Sequence, residues 1–475
     1  MMFVSAWLFV LFLAISLRLF VWPAAEHESP LDLAMFDAVA EPANRHVRSS
    51  TAALTFAAEA PVSFDVTGVY GFAEVFLSRQ RAVVLNGSAA AHWPALQRWN
   101  SSGYIRNLFH AEGLRFFSVH APFGSHVRMH STHRDVKLAA LPTVNFTRPW
   151  REARMRLDDL FAARHCAYLL LNMLQTPLAF QSDVDIVDFV APYKPAHQVN
   201  AWLSAPTVTT PLHYDLMDNF YAQVAGKKRF LLMPPTSHWA ARIHSALHPS
   251  SRQSHLDLEN STHVAKYAEL IERLRVDATE VVLEPGQVLF IPATWLHHVT
   301  TVGDEMSISV SIHTDTRVAQ LRELLLIASD HGVVRYVAPH RARLHGDAAM
   351  AVQAVRAFAV AFVGADSDVP RLCSESRWNE TNWRDEDHLS VNLLQLRLDA
   401  ERRLAPATAP LAADVADAMQ RFGAELRGEA ERGASALTAV VRAIVECDIL
   451  ELIGSELLGD ANVLLVGKAL LREQK

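Results

Sequence analysis

The sequence predicts a mainly β core, wound as a double-stranded β-helix, with an α/β lead-in before it and a helical bundle after it. Three observations carry this expectation. Residues 211–232 read as an extended segment holding His213-Tyr-Asp215, a strand from Asn219, a tight turn at Gly226 and a second strand opening with Lys228. Residues 283–299 hold a short apolar strand, Val288 to Ile291, between a Pro285-Gly286 turn and a Pro292–Trp295 turn, and a further strand opens at His297. Proline fixing φ and glycine accepting a positive φ suit a type II turn at Pro285-Gly286. After Thr316 the chain becomes rich in alanine and leucine at helical spacing.

In chain order, Met2 to Leu17 is almost wholly apolar, Arg18 interrupts, and Leu19 to Trp22 continues to Pro23. The run is long for a signal-peptide core and just long enough to span a bilayer if Arg18 snorkels to the interface. No small-x-small cleavage site follows, so residues 1–25 read as a signal-anchor, with a cleaved signal peptide as the alternative. Residues 26–60, rich in Ala and Glu without periodicity, read as a linker. Across 61–165, short apolar runs alternate with helical stretches at Gly71–Arg79 and Arg154–Ala163, an α/β lead-in that caps the barrel. Residues 166–316 hold the barrel strands, with a helix near Val264–Arg275 inside an insertion. Residues 317–475 form the helical region, with helices expected over Thr316–Ser329, Ala348–Phe362, Ala412–Arg427 and Ala436–Leu458. The stripe Leu437, Val440, Val441, Ile444 and Val445 belongs to its core. The charged loop Asp366–Glu386, with Trp378 and Trp383, is expected at the surface.

His213 and Asp215, two apart in an extended segment, leave the same face of a strand. A histidine and a carboxylate on one face are two thirds of the 2-His-1-carboxylate site that holds non-haem Fe(II). The third ligand is expected 84 residues on (297 − 213), where His297 and His298 stand side by side. Neighbours on a strand point to opposite faces, so only one of them reaches the metal. His297 is expected to do so, and His298 to pack away or face solvent. Lys228, fifteen residues after His213 (228 − 213), can hold the far carboxylate of 2-oxoglutarate if buried; the alternative is a lysine that merely opens a surface strand.

These segments occur in company. Upstream stand Arg81-Ala-Val-Val-Leu and His92-Trp-Pro-Ala-Leu-Gln-Arg-Trp99. Thr210-Pro-Leu-His-Tyr-Asp, Asn219-Phe-Tyr-Ala-Gln and Gly226-Lys-Lys-Arg follow. Last come His248-Pro-Ser-Ser-Arg-Gln-Ser-His-Leu-Asp257, Pro285-Gly-Gln-Val-Leu-Phe-Ile-Pro and Trp295-Leu-His-His. Together, from about Val69 to His313, they resemble the Jumonji-C hydroxylases of the cupin (jelly-roll) superfamily, most of all the asparaginyl-hydroxylase type that modifies hypoxia-inducible factor. The resemblance implies that His213, Asp215 and His297 bind Fe(II), and that Lys228, Thr210 and Tyr168 hold the distal carboxylate of 2-oxoglutarate. It further implies that Asn219 sits beside the chelating end of that co-substrate and that Arg252 and Gln253 face a polypeptide substrate. Homodimerisation through the C-terminal helices follows from the same likeness. Tyr168, in the apolar run Cys166-Ala-Tyr-Leu-Leu-Leu, is either a co-substrate contact or a core tyrosine. The last core strand departs from the family, with Ser311 and His313 where Asn and Trp are common. Ser311 is short and reaches a 2-oxoglutarate oxygen only through a water; His313 is either a further metal ligand or a rim residue.

Length suggests two or three structural units, and half of the residues are apolar, enough for sizeable cores. A net charge of −7 gives no electrostatic case for nucleic acid. Cys166, Cys373 and Cys447 are too widely spaced to suggest a zinc site or a disulfide framework, though one disulfide remains open. Arg18 argues weakly for a cytoplasmic body. Against it stand five Asn-x-Ser/Thr sequons, at Asn86, Asn100, Asn145, Asn260 and Asn379, where chance would give roughly two. The body is therefore expected in the lumen of the endoplasmic reticulum or secretory pathway. The expected function is Fe(II)-, 2-oxoglutarate- and O2-dependent hydroxylation of a polypeptide side chain. The rival readings are an inactive lumenal scaffold and a cupin metalloenzyme that does not use 2-oxoglutarate.

Overall fold

The computed structural model describes residues 63–65, 80–86, 88–122, 137–138, 141, 144, 150–164, 167–186, 196–379, 391–404, 409–434 and 437–470, all within the compact unit Val39–Lys475. The expected signal-anchor and linker, the Gly71–Arg79 helix, Cys166, Trp383 and the Asn145 sequon lie outside the described residues. Among those described, no helix is long and apolar enough to cross a membrane.

The strands are β1 (Ser63–Asp65), β2 (Val83–Asn86), β3 (Phe116–Pro122), β4 (Trp150–Arg156), β5 (Tyr168–Asn172), β6 (Ala196–Ser204), β7 (Thr209–Tyr214), β8 (Asp218–Ala225), β9 (Lys227–Met233), β10 (Thr279–Leu283), β11 (Val288–Ile291), β12 (Leu296–Val302) and β13 (Ser307–Thr314). They form two sheets, one ordered β1-β2-β11-β8-β13-β6-β5-β3-β4 and a smaller one ordered β10-β9-β12-β7. Apart from the parallel β1–β2 pair, the pairings are antiparallel. Tyr221, Leu289 and Ile291 of the large sheet meet Phe230, Leu232, Leu283 and Val299 of the small one in a shared apolar core. This is the sandwich that the alternating segments predict. β8 and β13 are buried along their whole length, as strands covered on both faces must be.

Gly226 turns β8 into β9 with φ of +63°. A Cβ there would lie 2.6 Å from the Met306 carbonyl oxygen, so both the backbone conformation and the space require glycine. Gly286 likewise takes φ of +87°, as the type II turn demands. In the lead-in, Arg154–Arg156 are strand rather than helix, because they pair with Phe116–Ser118; the helix is confined to Leu157–Ala162. The insertion carries two helices, Ser261–Lys266 and Ala268–Asp277, in place of the single one expected.

The C-terminal helices run Arg317–Gly332, Ala348–Val363, Val391–Arg403, Ala413–Gly433 and Ala439–Leu458. The first is capped by Thr316, whose hydroxyl accepts from Ala319 N and donates to the Leu216 carbonyl. That bond ties the helical region to the segment just beyond Asp215. Val355, Phe358, Phe422 and Ile453 lie in the bundle core. Cys373 and Cys447 are joined by a disulfide; the sequence left one disulfide open without choosing its pair. Trp378 is buried, not exposed as expected. Its indole N–H donates to Glu451, which also pairs with the buried Arg377 beside Asp448. Arg377 is turned inward against carboxylates of the Ala439–Leu458 helix, whereas Arg371 and Glu375 pair at the surface.

Candidate metal centre

His213 near the end of β7 and His297 on β12 are direct cross-strand partners, and Asp215 follows one residue after β7 ends. One ligand atom from each lies within 4.8 Å of the others, and among the described residues no second such group of His, Cys, Asp or Glu occurs. The Nδ1 of His213 lies 2.8 Å from the Pro211 carbonyl and that of His297 3.1 Å from the Trp295 carbonyl. A carbonyl only accepts, so each Nδ1 carries the proton and each Nε2 keeps its lone pair for a metal. Burial lowers the pKa of both imidazoles, that of His297 to about 3, which keeps them neutral as ligands must be. Burial opposes ionisation of Asp215, but the hydrogen bond from His313 and the surrounding imidazoles outweigh it and hold the carboxylate well below its usual range. Two neutral imidazoles and a carboxylate are a donor set that fits Fe(II).

His298 points the other way, buried with its Nε2 3.9 Å from Glu259, so the strand parity holds. His313 lies beside the triad, its Nε2 3.5 Å from Asp215, but outside the group of converging ligand atoms.

A buried polar cluster lies between the sheets around Lys228. Lys228 is 2% exposed, which excludes the surface-strand alternative. Burial pushes its ammonium down to about 7. Its Nζ donates to Tyr221 Oη at 2.7 Å and lies 5.3 Å from the Tyr168 ring centre. Among the described residues no carboxylate pairs with it, and a buried cation without a counter-charge is costly; an anionic ligand would supply one. Tyr168 bonds to Thr210, and burial raises its phenol pKa. The Asn219 side-chain oxygen is buried without a hydrogen-bond partner, as expected of a group that awaits a ligand. Ser311 accepts from the Trp202 indole at 2.8 Å, and Trp202 stacks on Tyr168. The predicted residues Lys228 and Thr210 thus both adjoin Tyr168. Tyr221, Ser309 and Trp202 went unassigned in the sequence. Tyr221 was findable, since it stands two residues after Asn219 on the same strand face.

Arg252 and Gln253 reach the triad through the insertion. Tyr214 N donates to Arg252 O and Ser254 N to Leu212 O, so this segment lies along β7 with Gln253 bridged to His213. Arg252 holds a left-handed φ of +68°, and its guanidinium lies 3.9 Å from Asp215. The helical region braces the insertion from behind, where Glu451 accepts from Ala246 N and Ser376 Oγ donates to the His238 carbonyl.

The chain matches the cupin-like domain family over residues 71–317. It is 28% identical over 249 residues to lysine-specific demethylase JMJ30 of Arabidopsis thaliana, covering 51% of each chain. It is 27% identical over 253 residues to lysine-specific demethylase 8 of Xenopus tropicalis, covering 50% of this chain and 49% of the relative. To tRNA wybutosine-synthesizing protein 5 of Danio rerio it is 27% identical over 264 residues, 54% of this chain and 74% of the relative. The chain thus spans about half the length of the two demethylases. Sandwich, triad and matched segment agree: this chain belongs to the cupin-like domain family, in its Jumonji-C group.

Proposed function

We propose that the chain is an Fe(II)- and 2-oxoglutarate-dependent dioxygenase that hydroxylates a polypeptide side chain in the secretory pathway. The observation that carries the reading is a neutral-imidazole and carboxylate triad together with a buried Lys228 that no carboxylate pairs with among the described residues. A non-oxoglutarate metalloenzyme has no use for that lysine. Loaded with iron, the site would consume 2-oxoglutarate, O2 and a substrate C–H bond and yield succinate, CO2 and C–OH. The protein's own groups do little proton transfer. His213, Asp215 and His297 hold the metal, Lys228, Thr210 and Tyr168 take the far carboxylate, and Asn219 with Ser311 lies at the chelating end.

Arg252, its side chain 46% exposed beside Asp215, and Gln253, bridged to His213, put a charged and an amide side chain next to the triad, and these suit the polar groups of a polypeptide substrate. The asparaginyl-hydroxylase likeness belongs to this proposal and rests on the sequence segments alone. The relatives' names span protein lysine and tRNA, so similarity does not select a substrate; the net negative charge favours protein over nucleic acid. The Cys373–Cys447 disulfide supports an oxidising compartment independently of the sequons, of which Asn100 and Asn260 are exposed. Association of two copies through the C-terminal helices, where Ile327, Val334 and Val360 are exposed, is part of the same proposal. The test is incubation of iron-loaded protein with a peptide library from secretory-pathway proteins, read by mass spectrometry. Peptides gaining one oxygen atom only with 2-oxoglutarate support the reading; none gaining it, with metal bound, contradicts it.

A further inference from the structure

Tyr221 and Ser309 belong to no assigned role, yet they extend the buried polar contacts of Lys228. Tyr221 is 6% exposed and Ser309 fully buried. Lys228 Nζ lies 2.7 Å from Tyr221 Oη, and Tyr221 Oη lies 2.6 Å from Ser309 Oγ. Tyr221 sits on β8 and Ser309 on β13, paired strands of the large sheet, whereas Lys228 sits on β9 of the small one. The chain of contacts therefore runs from one sheet to the other. A charged lysine has three N–H groups and no acceptor, so the phenol oxygen must receive one of them, and the phenol proton then passes to Ser309. The ring is fixed edge-on against Phe230, with centroids 5.0 Å apart, so the hydroxyl cannot swing away.

We propose that Tyr221 is a positioning residue for the 2-oxo diacid: by taking one N–H of Lys228, and being held by Ser309, it aims the remaining N–H groups at the ligand's far carboxylate. This rests on the 2-oxoglutarate reading above. A lysine on a four-carbon stem is otherwise a mobile point charge, and preorganisation reduces the ordering cost of binding. Phenylalanine at this position would keep the ring packing and delete only the anchor.

The test is calorimetric binding of 2-oxoglutarate to the Mn(II)-loaded full chain, without turnover. Lys228→Met, Tyr221→Phe, the double variant and Ser309→Ala are compared with the unaltered protein at pH 6 and pH 8. Losing a hydrogen bond to a charged group should weaken binding about ten-fold in Tyr221→Phe, more at pH 8 than at pH 6, with Mn(II) affinity unchanged. The double variant should bind no more weakly than Lys228→Met alone, because Tyr221 acts through Lys228. Ser309→Ala should give a smaller loss in the same direction, which keeps the test decisive if Tyr221→Phe does not fold. Binding equal to the unaltered protein in Tyr221→Phe, or in Ser309→Ala where that variant alone folds, overturns the proposal. So does a double variant that adds the full ten-fold loss. Failure of the unaltered protein to bind 2-oxoglutarate overturns the co-substrate reading itself, and this inference with it.

Discussion

His213 and His297 face each other across two antiparallel strands, their ring centroids 4.0 Å apart. This candidate ligand pair is made by register between segments 84 residues apart (297 − 213). A slip of one residue would present His298 instead, since side chains alternate between faces. Asp215 completes the group from just beyond the end of β7.

The first prediction concerns this register. Asp215→Ala should remove the charged ligand and lower Fe(II) occupancy sharply, as measured by metal analysis after dialysis. His298→Ala should leave occupancy nearly unchanged, because that ring turns toward Glu259. Loss of metal in His298→Ala with retention in His297→Ala would reverse the assignment.

Lys228→Met keeps the stem and deletes the charge. Removing one partner of a buried charge pair typically costs roughly 3–5 kcal/mol, so the apparent constant for 2-oxoglutarate should rise by about two or more decades. Iron binding should persist, and high co-substrate should restore part of the activity. Equal succinate formation in variant and unaltered protein at low 2-oxoglutarate would remove Lys228 from the site.

Binding should also be linked to protons. Burial depresses Lys228 from 10.5 to about 7. Between those values the unfolded chain holds a proton that the ligand-free folded protein lacks, so this group makes stability rise with pH across that window. A bound carboxylate restores the charge. At pH 8, 2-oxoglutarate should therefore bind with uptake of a proton, up to one per site, and its affinity should fall as pH rises above about 7. Calorimetry in buffers of different ionisation enthalpy measures the uptake; none at pH 8 would mean Lys228 is already charged or does not meet the ligand.

Much of this site was legible because its chemistry sits in short local patterns. The spacing of His213 and Asp215 and the alternation at His297–His298 need only strand geometry. The pocket around Lys228 was half legible. Its burial depends on the packing of two sheets, and Tyr221 on a strand reads as an ordinary aromatic until its hydroxyl is seen beside Nζ. Trp202 reaches Ser311 across the β6–β13 pairing, a relation no local pattern encodes. Trp378 was misplaced for a related reason. Its charged neighbours read as a solvated loop, but Arg377 is buried against Asp448 and Glu451, and such partners become visible only in three dimensions.

That buried cluster gives a further prediction. Glu451→Ala strands Arg377 without one carboxylate and frees the Trp378 and Ala246 N–H groups. Breaking a buried pair costs about 3–5 kcal/mol. Thermal unfolding should drop accordingly, and the constant for a peptide substrate should rise more than that for 2-oxoglutarate, because Ala246 belongs to the insertion that carries Arg252 and Gln253. Unchanged stability would mean the cluster is not the brace of that segment.

The lumenal expectation is tested by expression in a eukaryotic cell. Endoglycosidase treatment should shift the mobility of the protein, and Cys373–Cys447 should be recovered as a disulfide-linked peptide pair under non-reducing digestion. No shift, together with cleavage by protease outside sealed microsomes, would place the body in the cytosol.

The proposed reaction requires the His213–Asp215–His297 group and Lys228 to serve one bound 2-oxoglutarate. The most direct measurement is succinate formation from 2-oxoglutarate and O2 by the purified, Fe(II)-loaded protein with its peptide library, alongside Asp215→Ala. The account predicts 2-oxoglutarate-dependent succinate in the unaltered protein and none above background in the variant. Iron bound at one equivalent with no succinate formed, or equal succinate from Asp215→Ala, would contradict it.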